Sequence, residues 1–258
     1  MHTEEWDMNI TQTFYDDLAT QYDKLFQDWR EATREQAIIL DRLFRESGLE
    51  KNARILDCAC GIGTQAIGLA AMGYDVTASD ISDGELAEAG KRAEEEQVSI
   101  RFVHADFRAL EDVFPEQFDI VLAMDNALPH MLSGEDLDAA IGSMAQRIAP
   151  GGLFVASIRD YDALLKDKPL YSPPYIHKTE AGQRVSFQTW TWEGDHYRLI
   201  QYIIDDEKML QVSRFECEYR ATRREEMTEV LLAHGCRKVE WKFPEETGFY
   251  QPIVVGKK

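Results

Sequence analysis

The chain has 258 residues, 44% of them hydrophobic, which is enough to bury a full α/β core in one domain. Its 28 basic against 47 acidic residues give a formal net charge of −19, which sets it against polyphosphate backbones and anionic membranes and so against nucleic acid as a partner. No apolar run is long enough to span a bilayer, residues 1–7 lack the basic and apolar regions of a secretory leader, and the four cysteines show no paired metal spacing, so the expectation is a cytoplasmic protein with no metal site.

Along the chain, Phe14, Tyr15, Leu18, Tyr22, Leu25, Phe26 and Trp29 recur at helical spacing. Two readings of Tyr22 stand side by side: it packs the core, or it closes a helical N-terminal cap, residues 1–48, over a bound cofactor. A second helix is predicted over residues 34–47, with Ile38, Ile39, Leu43 and Phe44 on its apolar face and Gly48 as its stop.

An apolar strand, Ile55-Leu56-Asp57, then runs through Cys58-Ala59-Cys60-Gly61-Ile62-Gly63 into a helix over residues 64–71. Gly61 and Gly63 supply a turn in which no side chain keeps a ligand from the backbone, and the helix N-terminus faces that ligand. The next strand ends at Asp80, twenty-three residues after Asp57, where a carboxylate suits ribose hydroxyls. Ser82 and Glu85 make a capping-box pattern ahead of a helix reaching residue 96. After a third strand, residues 100–104, Asp106 and Phe107 offer an adenine ring an acceptor for its amine and an apolar face, with Ile81 able to cover the other face.

The fourth strand, residues 118–124, ends at Met124. Ligands of open α/β sheets sit beyond the strand C-termini, which places Asp125, Asn126 and His130 at the substrate end. Ser133 caps a helix, Pro150-Gly151-Gly152 turns the chain, and a fifth strand covers residues 153–158. Residues 163–219 change to alternating aromatic-rich segments around Glu193-Gly194-Asp195-His196, which read as antiparallel hairpins forming a lid, with Tyr171, Tyr175 and Tyr202 able to face the substrate. Thr222 caps a last helix, and two strands over residues 238–243 and 251–256 close the sheet, the last antiparallel to the rest.

Gly61-x-Gly63-x-x-Ala66 also satisfies the dinucleotide fingerprint, so a nicotinamide-dependent oxidoreductase competes. Asp57 weighs against it, because a carboxylate at the mouth of the first strand repels a pyrophosphate and accepts from an ammonium. That favours S-adenosylmethionine, which has no phosphate. The ordered set Ile55-Leu56-Asp57-x-x-Cys60-Gly61-x-Gly63, then Asp80, then His104-Ala105-Asp106-Phe107, resembles the class I S-adenosylmethionine-dependent methyltransferases over roughly residues 15–159. The resemblance implies an α/β, Rossmann-like methyltransferase fold: one domain with a mainly parallel seven-stranded sheet and the antiparallel lid inserted after strand five. It implies cofactor contacts from Tyr22, Asp57, Ala59, Gly61, Gly63, Asp80, Ile81, Asp106, Phe107 and Met124.

Two segments are similar to the glycine and sarcosine N-methyltransferases in particular. Asp125-Asn126-Ala127-Leu128-Pro129-His130-Met131 keeps the asparagine and histidine of that family's Gly-Asn-Ser-Phe-Ala-His-Leu, and Ile158-Arg159-Asp160-Tyr161-Asp162 matches its His-Arg-Asn-Tyr-Asp. By that similarity Asn126 bonds the substrate amine or carboxylate, Arg159 pairs with a substrate carboxylate, and His130 supports the cofactor end. Arg34 meets the cofactor's own carboxylate. The competing readings are an ion pair of Arg159 with Asp160 or Asp162, and a solvated Arg34. The departures are Asp125 for glycine, which suits a cationic amine, and Ile158 for histidine. The expected reaction is methyl transfer to a small amino compound, with His130 or Asp125 assisting deprotonation; a small-molecule O-methyltransferase and a protein that binds S-adenosylmethionine without transferring are the alternatives.

Overall fold

The chain is described from a computed structural model over residues 8–179 and 182–258; residues 1–7 of the expected N-terminal cap lie outside the described residues. It begins with α1 (Met8–Leu18), a 3-10 segment (Ala19–Leu25) and α2 (Trp29–Glu46). The sheet-forming part follows as β1 (Arg54–Asp57), α3 (Thr64–Ala71), β2 (Asp75–Asp80), α4 (Asp83–Glu95), β3 (Arg101–His104), β4 (Phe118–Ala123), α5 (Gly134–Gln146) and β5 (Ile148–Ser157). After α6 (Tyr161–Asp167) come β6 (Tyr175–Thr179), β7 (Gly182–Glu193), β8 (His196–Asp205) and β9 (Gln211–Arg220), and then α7 (Arg224–Ala233), β10 (Lys238–Lys242), α8 (Pro244–Thr247) and β11 (Ile253–Lys257).

Seven strands form one sheet in the order β10-β11-β5-β4-β1-β2-β3, parallel except for β11, which runs antiparallel to both β5 and β10. Its central strands are apolar on both faces because helices cover both. Leu56, Val121 and Phe154 face a core shared with α5 and the second sheet, while Ile55, Ile120, Leu122 and Val155 face α2 and α3. The strand period of two thus divides one apolar run between two cores. The chain leaves β1 for β2 on one side and meets β4 on the other, so a crevice opens beyond the C-terminal ends of β1 and β4. On the outer layer α3 lies close against α2: a Cβ on Gly68 would stand 2.6 Å from the Thr33 carbonyl oxygen.

The second sheet, β6-β7-β8-β9, is antiparallel, as the alternation predicts. Gly194, at φ 62°, makes the tight turn between β7 and β8. Its apolar side is held to α1, where Phe14 meets Phe215 edge-on at 6.5 Å between ring centres. At the other end polar contacts join it to the 3-10 segment and the turn after it: Lys24 Nζ lies 2.8 Å from Asp205, and Arg184 donates to the Phe26 carbonyl at 2.8 Å.

Several local expectations are corrected. The second helix starts five residues early, at Trp29, because Asp28 accepts the Glu31 N–H and acts as its N-cap. The capping box at α4 is half made: Ser82 Oγ accepts the Glu85 N–H at 3.0 Å, but the Ser82 N–H is taken by Asp80, so the Glu85 carboxyl turns inward. Thr222 does not cap α7; its hydroxyl bonds back to the Arg220 carbonyl, and Arg223 occupies the cap position without a side-chain bond. The fifth strand begins at Ile148, with an irregularity in its pairing to β4 that absorbs the Pro150-Gly151-Gly152 turn. Among the described residues no helix is long and apolar enough to cross a membrane.

Candidate active site

The crevice is built first by the turn after β1. Cys58 and Cys60 donate their backbone N–H groups to Leu122 and Ser79 of the flanking strands, which fixes the turn over the sheet edge. Gly61 (φ 52°) and Gly63 (φ 90°) then take left-handed conformations, and a Cβ on Gly63 would meet Ile67 Cδ1 at 2.7 Å. Asp80, arriving on β2, accepts the Gly61 N–H at 2.8 Å and the Ser82 N–H at 3.0 Å, so one carboxylate ties the glycine turn to the start of α4.

Four carboxyl groups surround this turn. Asp57 is fully buried; one oxygen has only a long contact, 3.4 Å, with the Ala59 N–H, and the other has no hydrogen-bond partner. Burial pushes its carboxyl well above the usual range, and Asp80 and Asp125 add to the rise. Burial also raises Asp80, against the bonds it accepts from Ser82, Gly61 and Ile81, and raises Asp125. Glu85 is buried without a partner on either oxygen and is raised by burial and by Asp80. Asp80 and Asp125 line the space beside this turn, and carboxylates there favour a cation and disfavour a phosphate.

That space is a cleft with about 700 Å³ of empty volume, counted to its open mouth. Of the residues singled out in the sequence, Tyr22, Ala59, Gly61, Asp80, Ile81, Asp106, Phe107, Met124 and His130 line it. Asp57 and Asn126 are buried next in sequence to the lining residues Cys58 and Asp125 without lining it themselves, and Gly63 shapes the turn. Asp106 is already engaged, since Arg108 binds both its oxygens and reaches Asp136 as well. Arg34 is not brought to the cleft: α2 turns Thr33, Gln36 and Ala37 inward, which leaves Arg34 exposed.

The loop after β4 is strained. Asp125 and Asn126 both have positive φ, 56° and 71°, a region non-glycine residues avoid at about 1–2 kcal/mol each. Polar contacts hold the pair there. Asp125 accepts from the Tyr250 hydroxyl at 2.6 Å and from Gln65 Nε2 at 2.8 Å, and its N–H donates to Ser157 Oγ at 2.8 Å. Asn126 Oδ1 accepts the Arg159 N–H and the Tyr161 hydroxyl, each at 3.0 Å, while its buried Nδ2 has no partner.

His130 is buried with both ring nitrogens engaged: Nδ1 lies 3.1 Å from the Glu218 carbonyl oxygen and Nε2 2.9 Å from the Tyr15 hydroxyl. A carbonyl can only accept, so Nδ1 carries the proton and Nε2 accepts from Tyr15. Burial lowers its pKa to about 3. The ring is therefore a neutral fixture of the wall, and the expectation that it takes a substrate proton gives way.

Arg159 reaches across to the second sheet, where Nη1 donates to the Tyr197 hydroxyl at 2.6 Å and Nη2 to Gln188 Oε1 at 3.0 Å, with the guanidinium over the rings of Trp190 and Tyr219. The suggested ion pairs with Asp160 and Asp162 are not formed. Arg224 of α7 takes both carboxylates instead, at 2.5 and 3.2 Å.

Residues 55–152 match the family described as a methyltransferase domain. The chain carries a class I S-adenosylmethionine-dependent methyltransferase domain. The glycine/sarcosine N-methyltransferase of Parasynechococcus marenigrum (strain WH8102) is 28% identical over 155 residues, 60% of this chain and 54% of the relative. The chain thus spans about half the length of the curated relatives it matches. Two solved structures share the fold over most of the chain. An S-adenosylmethionine-dependent methyltransferase from Clostridium acetobutylicum ATCC 824 has TM-score 0.73 at 19% identity, covering 94% of this chain and 98% of that one. CalS10, an amino pentose methyltransferase from Micromonospora echinaspora, has TM-score 0.69 at 19% identity, covering 87% and 91%.

The cleft of this methyltransferase domain fits S-adenosylmethionine by its own chemistry. The cofactor carries a sulfonium and an ammonium and no phosphate, which suits a cleft lined by Asp80 and Asp125, with the unpartnered buried oxygen of Asp57 one residue from the lining Cys58. The sequence missed the residues that arrive from far along the chain: Tyr15, Gln65, Tyr161, Gln188, Tyr197, Tyr219 and Tyr250. Of the lid aromatics able to face the substrate, none lines the cleft. Tyr171 and Tyr175 are each 64% exposed, and Tyr202 stacks on Phe187 on the face of its sheet opposite Tyr197. Strand parity carried the missing signal, because Tyr197 and Tyr202 are five residues apart on one strand and must point to opposite faces.

Proposed function

We propose that this chain transfers a methyl group from S-adenosylmethionine to the amine nitrogen of a small, glycine-like amino compound. The observation that carries the reading is the Arg159 guanidinium, which is anchored by Tyr197 and Gln188 and has no carboxylate partner among the described residues. A guanidinium stays charged at any physiological pH, and its fork meets a carboxylate through two parallel bonds. The unpartnered Nδ2 of Asn126 adds a second donor beside it. The relatives support an amine acceptor: one is named for glycine and sarcosine, and the structural neighbour CalS10 for an amino pentose.

S-adenosylmethionine supplies an electrophilic methyl on a positively charged sulfur. In this reading Asp57 offers its free oxygen to the ammonium, and Asp80 accepts from the ribose hydroxyls while holding the glycine turn. Phe107 and Ile81 would hold the adenine, with Asp106 as the acceptor for its amine, and Tyr22 and the Tyr15–His130 pair would keep water from the cleft. Holding two reactants in line contributes roughly 7–11 kcal/mol, so alignment alone accounts for most of the catalysis.

We read residues 1–258 as one methyltransferase unit, with residues 1–48 as a cap and 163–219 as a lid. The four cysteines are buried and free, which suits a reducing cytoplasmic setting, and the charge of −19 supports a small ligand over nucleic acid.

The test is transfer from methyl-labelled S-adenosylmethionine to glycine, sarcosine, other small amines and a metabolite extract. Label is expected in an amino acid-like product, with kcat/KM reduced about tenfold to a hundredfold in Arg159→Ala, chiefly through KM. Label confined to hydroxyl acceptors turns the reading to O-methylation. Cofactor binding with no transfer anywhere overturns catalysis.

A further inference from the structure

We infer that Asp125 forms an ammonium site in this cleft and is the base that takes the acceptor's proton, so that the acceptor arrives as a cationic amine. The inference rests on the methyl-transfer reading above. Asp125 lines the same cleft as the glycine turn, and its carboxylate is held by neutral donors only, Tyr250 and Gln65. No lysine or arginine pairs with it among the described residues.

The surroundings are built to hold that side chain in place. Gln65 gives Asp125 one amide proton and donates to Gln36 Oε1 at 2.6 Å, and both glutamines are buried. Ser157 accepts the Asp125 N–H and itself donates to buried Gln251. Four buried polar side chains from α2, α3, β5 and the segment before β11 thus serve an aspartate whose φ of 56° glycine would adopt freely. A strained carboxylate kept in a cleft by dipoles, with no cation supplied by the protein, lacks the charge that a ligand brings.

The step balances without a further reactant. An N–H bond of the ammonium breaks as an O–H bond forms on Asp125. The freed nitrogen pair makes the new N–C bond while the methyl's C–S bond breaks and its electron pair returns to sulfur, leaving a thioether. Asp125 then gives its proton to solvent at the mouth, beside exposed Tyr250. The titratable groups facing it are Tyr22 from the 3-10 segment, Tyr250 from the segment before β11 and Asp57 from β1; α2 and α3 present glutamines, which do not titrate.

The experiment uses the full chain loaded with S-adenosylhomocysteine and titrates dimethylammonium chloride by calorimetry, in wild type, Asp125→Asn and Tyr250→Phe. Wild type is expected to bind, and Asp125→Asn to bind about tenfold or more weakly while keeping its S-adenosylhomocysteine affinity. Tyr250→Phe binds dimethylammonium more weakly than wild type, being without one of the two donors that hold the carboxylate, and moves its acid midpoint to higher pH, because the lost hydroxyl had favoured the ionised form. Equal binding in Asp125→Asn, no binding in wild type, or an unmoved midpoint overturns the proposal. The two readings fail separately. Asp125-dependent binding with no label transfer removes the methyltransferase activity and leaves the ammonium site; transfer of label to an amine with no dimethylammonium binding does the reverse.

Discussion

Asn126 Oδ1 accepts the backbone N–H of Arg159 at 3.0 Å, so the loop after β4 sets the position of the cation carried by the loop after β5. The same oxygen takes the hydroxyl of Tyr161, which is in turn 2.8 Å from the Tyr197 hydroxyl that Arg159 grips. Removing the amide leaves a buried N–H unsatisfied and frees the guanidinium. Asn126→Ala is expected to lower stability by about 1–3 kcal/mol in urea unfolding and to raise the acceptor KM more than it lowers kcat. An unchanged KM with reduced kcat would show that Asn126 does not position Arg159 for binding.

His130 makes stability depend on pH in a defined direction. Its folded pKa, lowered to about 3 by burial, lies below the ordinary value near 6.5. The unfolded chain therefore binds the proton first, and the contribution of the neutral ring is complete above about pH 6.5 and lost as pH falls towards 3. Asp57 and Glu85, raised by burial, act in the opposite sense, so the informative quantity is the difference between wild type and His130→Gln. Between pH 7.5 and pH 5 wild type is expected to lose roughly 2 kcal/mol more than the variant. Equal losses would mean that His130 is protonated in the folded protein.

Cofactor affinity should carry the signature of Asp57. A bound cation pulls the raised carboxyl back down, so binding releases protons and the affinity for S-adenosylmethionine falls as pH is lowered. Asp57→Asn is expected to bind more weakly at pH 7.5 and to show a flatter pH dependence. Calorimetry in two buffers of different ionisation enthalpy counts the protons, and an identical proton release by the variant would remove Asp57 from the site.

Glu85 is a carboxyl with no hydrogen-bond partner beneath the glycine turn, its Oε2 about where a Cβ on Gly61 would touch it, at 3.4 Å. Replacing it with an apolar chain of similar length removes an unsatisfied polar group and leaves little void. Glu85→Met is expected to stabilise the cofactor-free protein by about 1–3 kcal/mol while cofactor affinity is kept. A fall in melting temperature together with lost cofactor binding would show that the carboxyl serves the ligand.

The part of the cleft proposed for the cofactor has determinants that are local, and so its lining residues were legible. A turn needing positive φ at Gly61 and Gly63, a carboxylate at the end of β2 and the Asp106-Phe107 pair after β3 each sit within a few residues of a strand end. The acceptor half is assembled by crossovers: Gln65 meets Asp125, Tyr15 meets His130 and Arg159 meets Tyr197 across dozens of positions, and hydrophobic periodicity does not register such distances. Arg34 failed for a different reason. Placing the helix start at residue 34 overlooked the Asp28 cap, and the turn and a half of helix before Arg34 sets it on the outer face.

The second sheet is fastened unevenly, with aromatic packing between α1 and β9 on one side and an ion pair and carbonyl bonds near Lys24 and Arg184 on the other. Between the two, the sheet's apolar face is buried in the same core as Leu56 and Phe154, so the polar edge is the part that can loosen without exposing that core. Water can replace the bonds at that edge almost without loss, whereas lifting the α1 side would wet aromatic rings. Ionic strength thereby becomes a handle on how firmly that edge is held: amide hydrogen exchange of the segment around Lys24 should quicken with salt in wild type and be fast and salt-independent in Lys24→Met.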